Sequence, residues 1–241
     1  MEVKNFGSLY LNGRPSVLNA EYSGGNISLG DTVPEEAIPF VKWKDLWVAG
    51  KVVCLNASWD DLNKYNFITG HPIKIDGVPY LCRSLKVGER EDDPNEWDTI
   101  LDDLGDSNDL WHWRHIYFWG QETVKGWASN RAVRGCYSAR YWYCYYASDR
   151  NVYVGFRPAL EPLPPEPQIS DPLVGAQLEI YGPTGMFNGQ LVDFSDYDLV
   201  IEPSAQQIIP ADCKWVSRSG NRVIIDRSTI TWMKEVDRRH G

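Results

Sequence analysis

No stretch of the sequence approaches the roughly 18 to 20 consecutive apolar residues that a membrane-spanning helix needs, which excludes a helical anchor. The opening MEVKNFGSLYLNG lacks the basic, then apolar, then small-residue order of a secretory signal, so a soluble, cytoplasmic chain is expected. No CxxC occurs. The five cysteines, Cys54, Cys82, Cys136, Cys144 and Cys213, are odd in number and widely spread, which argues against a disulfide framework or a zinc site and for apolar fillers in a reducing compartment. The four histidines, His71, His112, His115 and His240, form no HxxxH or HExxH set. Nucleophile-elbow, Walker and dinucleotide-binding glycine motifs are also missing, which removes the usual signatures of acyl transfer, phosphoryl transfer and hydride chemistry. Basic charge is in deficit: 24 Lys and Arg face 33 Asp and Glu, and a net charge of -9 repels polyanions and anionic membranes on average.

What the chain has in excess is aromatic: 13 Tyr and 11 Trp in 241 residues, with most of the Trp before residue 162. A Pro-dense stretch, EPLPPEPQISDP, spans 161–172. Repeated fixing of φ and loss of backbone donors there predict an extended linker between a first domain at 1–160 and a second at 173–237. In the first domain, Lys51 to Leu55 is a short apolar run. Ile73 to Leu81 alternates around Asp76-Gly77, a tight-hairpin signal. Trp97, Ile100, Leu101 and Leu104 share a helical stripe over Asn95 to Leu104, with Asp93 as candidate N-cap and Pro94 in the first turn. Much irregular chain around one helix and short strands predicts α+β. After the linker, Ala176 to Tyr181, Gly189 to Phe194, Asp198 to Glu202, Arg222 to Asp226 and Thr229 to Lys234 are short, β-branched segments separated by turn signals such as Gly182-Pro183. Five such strands predict a small all-β barrel.

The segment RAVRGCYSARYWYCYYASDRNVYVGFRPAL, 131–160, resembles the closing segment of C-type-lectin-fold proteins of the formylglycine-generating-enzyme and retroelement variable-protein types. Arg134-Gly135, Ser138, Arg140, Arg150 and Gly155-Phe156-Arg157 carry the likeness. The upstream segments YLCRSL, PNEWD and NDLWHW are similar to a group of proteins from bacteriophages and Firmicutes. These resemblances cover roughly residues 5–160 and imply a C-type-lectin-like domain of phage or mobile-element origin. In the second domain, Gly189, Leu191, Val192, Phe194, Leu199, Val200, Val223, Ile224 and Ile230 match the pattern of Sm-like barrels, an SH3-like fold, although Pro-rich chain stands where the helix of bacterial Sm proteins would be.

The enzyme family oxidises cysteine with a copper-binding cysteine pair in this segment; Cys136 and Cys144 lie eight apart and depart from the family's closer pairing, so oxidase activity does not carry over. The acidic run from Glu89 to Asp109 offers hard oxygen ligands, but its spacing matches no calcium loop and reads as a solvated loop and helix face. No cofactor and no metal is expected. There remains the tyrosine-rich stretch. Alternation along a strand assigns Trp142, Cys144 and Tyr146 inward. The resemblance to the variable proteins implies that Tyr137, Tyr141, Tyr143, Tyr145, Asp149, Asn151 and Tyr153 form the ligand surface, with Trp111, Trp113, Trp119 and Trp127 as further aromatic candidates. Such a surface loses little rotamer entropy on binding and offers both rings and hydroxyls.

The expected function is therefore non-catalytic binding of a small-molecule or protein ligand, such as a host nucleotide signal that a phage protein sequesters. The barrel is expected to assemble a homo-oligomer. Nucleic acid and membrane are not expected partners. Two rival readings are an RNA-binding regulator built on the Sm-like barrel, which requires a basic surface that 173–236 does not cluster, and the copper oxidase.

Overall fold

A computed structural model describes residues 1–182, 185–204 and 215–236. Cys213, His240, Pro183 of the Gly182-Pro183 signal and the end of the second domain at 237 lie outside the described residues. The chain divides into two compact units, Met1–Leu163 and Pro164–Gly241. Strands hold 47% of the structure and helical turns only 12%, which overturns the α+β lectin-like expectation: this is a mostly-β protein. The physical reason lies in the first unit, whose long apolar stretches form strands buried on both faces and so lack the alternation that marks a half-exposed strand.

The first unit holds two sheets. One has eight strands, all antiparallel, and curls into a half-barrel. Its path runs Arg14–Ser16, Glu2–Leu11, Ala37–Trp43, Leu46–Ala49, Ala159–Pro162, Val78–Arg83, His71–Ile75, with Ile27–Gly30 also pairing to Glu2–Leu11. The second, six-stranded sheet runs Trp142–Tyr146, Asn130–Gly135, Tyr117–Thr123, Val154–Phe156, Cys54–Leu55, Ala20–Glu21. Alternation divides neighbouring side chains between two hydrophobic cores: Phe40, Trp47, Trp119 and Val133 enter one, Val41, Val48, Phe118 and Ala132 the other.

Asp76 and Gly77 both adopt positive φ and join His71–Ile75 to Val78–Arg83, the hairpin that the dipeptide predicts. The helix Glu96–Leu104 buries Trp97, Ile100 and Leu101 as its stripe requires. Its N-cap is Asn95, not Asp93, because the Asn95 side chain accepts from the Asp98 N–H. Its acidic face is held by three arginines. Arg83 bonds Glu96 at 2.6 and 2.8 Å and Glu161 at 2.5 Å, buried Arg134 pairs with Asp98 at 3.0 Å, and Arg140 meets Asp102 at 2.7 Å. Three carboxylates of the acidic run, Glu96, Asp98 and Asp102, are thereby engaged by cations of the chain itself. Among the described residues no group of three or more His, Cys, Asp or Glu side chains is placed to hold a metal ion.

Within the stretch expected as linker, 161–172, Glu161 and Pro162 belong to the strand Ala159–Pro162 and the helical turn Asp171–Leu173 begins. That strand pairs with Leu46–Ala49 only through Ala159 and Leu160, so proline's missing N–H falls where one side of the strand is already open.

A short helix, Trp59–Lys64, is closed by a capping box in which Ser58 and Asp61 exchange hydrogen bonds. Burial pushes the Asp61 carboxyl upward, but hydrogen bonds from the Arg150 guanidinium and from the Ser58 hydroxyl and N–H outweigh it and hold the group at about 2 instead of 3.8. A folded-state value below the unfolded one means a contribution that is present above 3.8 and is lost as pH falls towards 2. Asp61→Asn is expected to lower the urea midpoint at neutral pH, with the gap to wild type closing on acidification to about pH 2 to 3. A gap that stays constant with pH would remove the carboxylate from this account.

The second unit is a six-stranded antiparallel sheet ordered Val216–Ser219, Arg222–Asp226, Asp198–Pro203, Gly185–Phe194, Gln177–Gly182, Trp232–Glu235. Leu178, Ile180, Phe187, Leu191, Leu199, Ile201, Val223 and Ile225 fill its core. One strand more than expected is present, Val216–Ser219, which the polar run VSRS does not announce. The described pairings form an open path between Val216–Ser219 and Trp232–Glu235, without the closing pair that a barrel would add.

Candidate functional site

The tyrosine-rich segment leaves the strand Asn130–Gly135, turns through 136–141, and returns as the strand Trp142–Tyr146 at the end of the second sheet. Two successive left-handed residues, Gly135 at φ 111° and Cys136 at φ 72°, make the reversal. Glycine is required at the first, since a Cβ there would stand 2.5 Å from the Ile116 carbonyl oxygen. The turn leaves Tyr137 72% exposed, and the edge strand leaves Tyr143 46% exposed.

Tyr141 and Tyr145 are half-buried and close over Tyr117 of Tyr117–Thr123, the strand on the far side of Asn130–Gly135. Ring centroids are 5.0 Å apart for Tyr137 and Tyr141, 6.2 Å for Tyr141 and Tyr117, 5.7 Å for Tyr117 and Tyr145, and 5.3 Å for Tyr145 and Tyr143. Three of these four pairs meet edge to face, the arrangement that the ring quadrupole favours. Below them Trp119 packs against Tyr145 at 6.2 Å and anchors the patch to the core. Burial, then a hydrogen bond with Cys136, raises the Tyr117 phenol. Burial, then the nearby Tyr143, raises that of Tyr145. Both hydroxyls stay neutral at physiological pH and can donate as well as accept.

The structure thus brings Tyr137, Tyr141, Tyr143 and Tyr145 together. Tyr153, 58% exposed, lies on the adjoining turn, where its carbonyl accepts from the Tyr117 N–H at 2.7 Å. Asp149 and Asn151 serve the backbone. Asp149 Oδ2 accepts from the Tyr146 N–H at 3.1 Å, and Asn151 Oδ1 accepts from the Tyr153 N–H at 2.8 Å. Tyr146, expected inward, is 58% exposed, because the edge strand runs past the second core after Trp142 has entered it.

Two of the tryptophan candidates are core residues and contact no solvent: Trp111, whose indole donates to the Gly105 carbonyl, and Trp119, whose indole donates to that of Ala57. Trp113 is half-buried and bonded to the Asp106 carbonyl. Trp127 is 62% exposed on the turn before Asn130–Gly135, and none of the described ring contacts joins it to the tyrosines. Tyr117 is the member that the sequence reading missed. Its signal is parity alone: in IYFWG it falls on the same side of its strand as Trp119.

Cys144 projects from the opposite side of its strand to Tyr143 and Tyr145 and receives the Asn130 amide at 3.7 Å, while Cys136 faces Tyr117. Burial pushes the Cys54 thiol up to about 12. All four described cysteines are free. Among the described residues no helix is long and apolar enough to cross a membrane. Comparison of the chain with protein-family models, with curated proteins and with solved structures finds no match.

Proposed function

We propose that the chain is a binding protein that works without catalysis, and that its ligand contacts the tyrosine face at the open edge of the second sheet. The observation that carries this reading is the exposure of Tyr137 and Tyr143 on a base of half-buried and buried rings. Scattered exposed aromatics are ordinary, whereas a contiguous patch held rigid from beneath is the form that interaction surfaces take. Rigid two-torsion side chains lose little entropy when a partner covers them. The free cysteines support action in a reducing compartment such as the cytoplasm.

Tyr143→Ala is the test. Truncation of this exposed ring should change stability by no more than about 0.5 to 1 kcal/mol. Native mass spectrometry of wild type and variant, purified in parallel from the source cells, should show a co-purifying molecule with the first and its loss from the second. Equal retention in both, or a variant that melts far earlier than wild type, would move the site elsewhere.

A further inference from the structure

We propose that the tyrosine face docks an arginine side chain carried on an exposed segment of a basic protein partner. This rests on the reading of that face as a binding surface and assigns the chemistry of what it binds.

The first ground is the geometry of the rings. Tyr117 and Tyr143 lie within 33° of parallel with centroids 6.2 Å apart, and Tyr145 stands across both, at 77° and 71°. The patch therefore offers ring faces and ring edges in one place, with Tyr143 and Tyr137 open to solvent. A guanidinium is planar and weakly hydrated. It stacks on an aromatic face while its N–H groups reach outward to phenol or carboxylate oxygens, which the compact, strongly hydrated ammonium of lysine does less well.

Charge is the second ground. The Asp149 carboxylate beside the patch accepts the Tyr146 N–H and has no ion pair among the described residues. Of the nearby cations, Arg114, whose backbone bridges to Cys136, lies 5.9 Å from the Trp113 ring, and Arg140 pairs with Asp102 at 2.7 Å. Arg150 holds Asp61 through two bonds of 2.6 and 2.8 Å, and Arg131 lies 4.4 Å over the Trp59 ring while donating to the Ala128 and Asn130 carbonyls. Negative ring faces and an uncompensated carboxylate make the patch complementary to a cation. The chain's net charge of -9 steers a basic partner towards it. The patch is also an open strand edge and turn, which suits one side chain of a macromolecule better than a small molecule enclosed on several sides.

The test uses the full chain and three labelled peptides of equal length: an arginine–glycine repeat, the same repeat with citrulline, which keeps the shape and removes the charge, and the same with lysine. Fluorescence anisotropy should show the arginine peptide binding about tenfold more tightly than the citrulline peptide, with lysine between them. Tyr143→Ala and Tyr137→Ala should each weaken arginine binding about three- to fivefold. Asp149→Asn, which keeps an acceptor for the Tyr146 N–H, should weaken arginine binding and leave citrulline binding unchanged.

Arginine and citrulline peptides that bind alike, and weaken together in Tyr143→Ala, would overturn the cation preference while leaving the face as a binding surface. Arginine binding that is unchanged in both tyrosine variants would overturn the proposal as charge attraction elsewhere on an acidic protein. Absence of binding by every peptide would overturn it too. The co-purification experiment judges the binding surface independently of all three.

Discussion

Arg157→Ala is expected to cost about 3 to 5 kcal/mol of stability, a large part of the 5 to 15 kcal/mol that holds an ordinary domain together. The Arg157 side chain has no exposed surface. It donates to the Ala49 and Trp111 carbonyls at 2.7 Å each, and its guanidinium lies 5.4 Å from the Trp97 ring and 4.8 Å from that of Phe118. No carboxylate pairs with it among the described residues, and burial alone lowers its pKa. Truncation leaves two buried carbonyls without donors and a cavity between two large rings, each penalised separately. Arg157→Met keeps much of the volume and removes the desolvated charge, so it should be the milder change although the carbonyls remain orphaned. Urea unfolding of the full chain decides it. An alanine variant within about 1 kcal/mol of wild type would show that the guanidinium is dispensable to the core.

Trp119→Ala should fall in the same range, about 3 to 5 kcal/mol, and it separates core from surface within one aromatic cluster. The indole is fully buried, donates to the Ala57 carbonyl at 2.8 Å and supports the Tyr145 ring at 6.2 Å. Trp119→Phe keeps a ring but orphans that carbonyl and should lose a smaller amount, about 1 to 3 kcal/mol. Thermal melting of both, beside the exposed Tyr143→Ala, would order them Ala, Phe, Tyr143→Ala from least to most stable. A Trp119→Ala variant that melts like wild type would contradict its place in the core and return it to the list of surface candidates.

Local chemistry was legible in the sequence wherever it acts over a few residues. The Asp76-Gly77 hairpin and the stripe through Trp97, Ile100 and Leu101 follow from turn preference and helical spacing. The fold class was not legible, because a strand with a core on each face loses its alternation. YFWG enters the structure with Tyr117 and Trp119 on one side and Phe118 on the other, all buried. The capping residue was displaced by two positions because both Asp93 and Asn95 have the right side chain, and only contact with the Asp98 N–H distinguishes them. In the candidate site, Tyr143 and Tyr145 share a face by parity, but their meeting with Tyr117 depends on strand pairing across a sequence separation that no local rule reaches. The same limit placed Trp111 and Trp119 among surface candidates, since a tryptophan looks alike in the sequence whether it is covered or bare.

The strand Ala159–Pro162 lies between Leu46–Ala49 and Val78–Arg83, inside the eight-stranded sheet rather than at its margin. During synthesis the ribosome makes this piece after every other strand of the first unit. Until it emerges, the nascent half-barrel has a gap at its middle, with two strand edges facing each other across missing chain, and Arg157 has not yet reached the carbonyls of Ala49 and Trp111. Completion of the first unit is thus tied to delivery of its last strand, and a translation arrest shortly before residue 157 would leave two open edges as templates for a neighbouring chain.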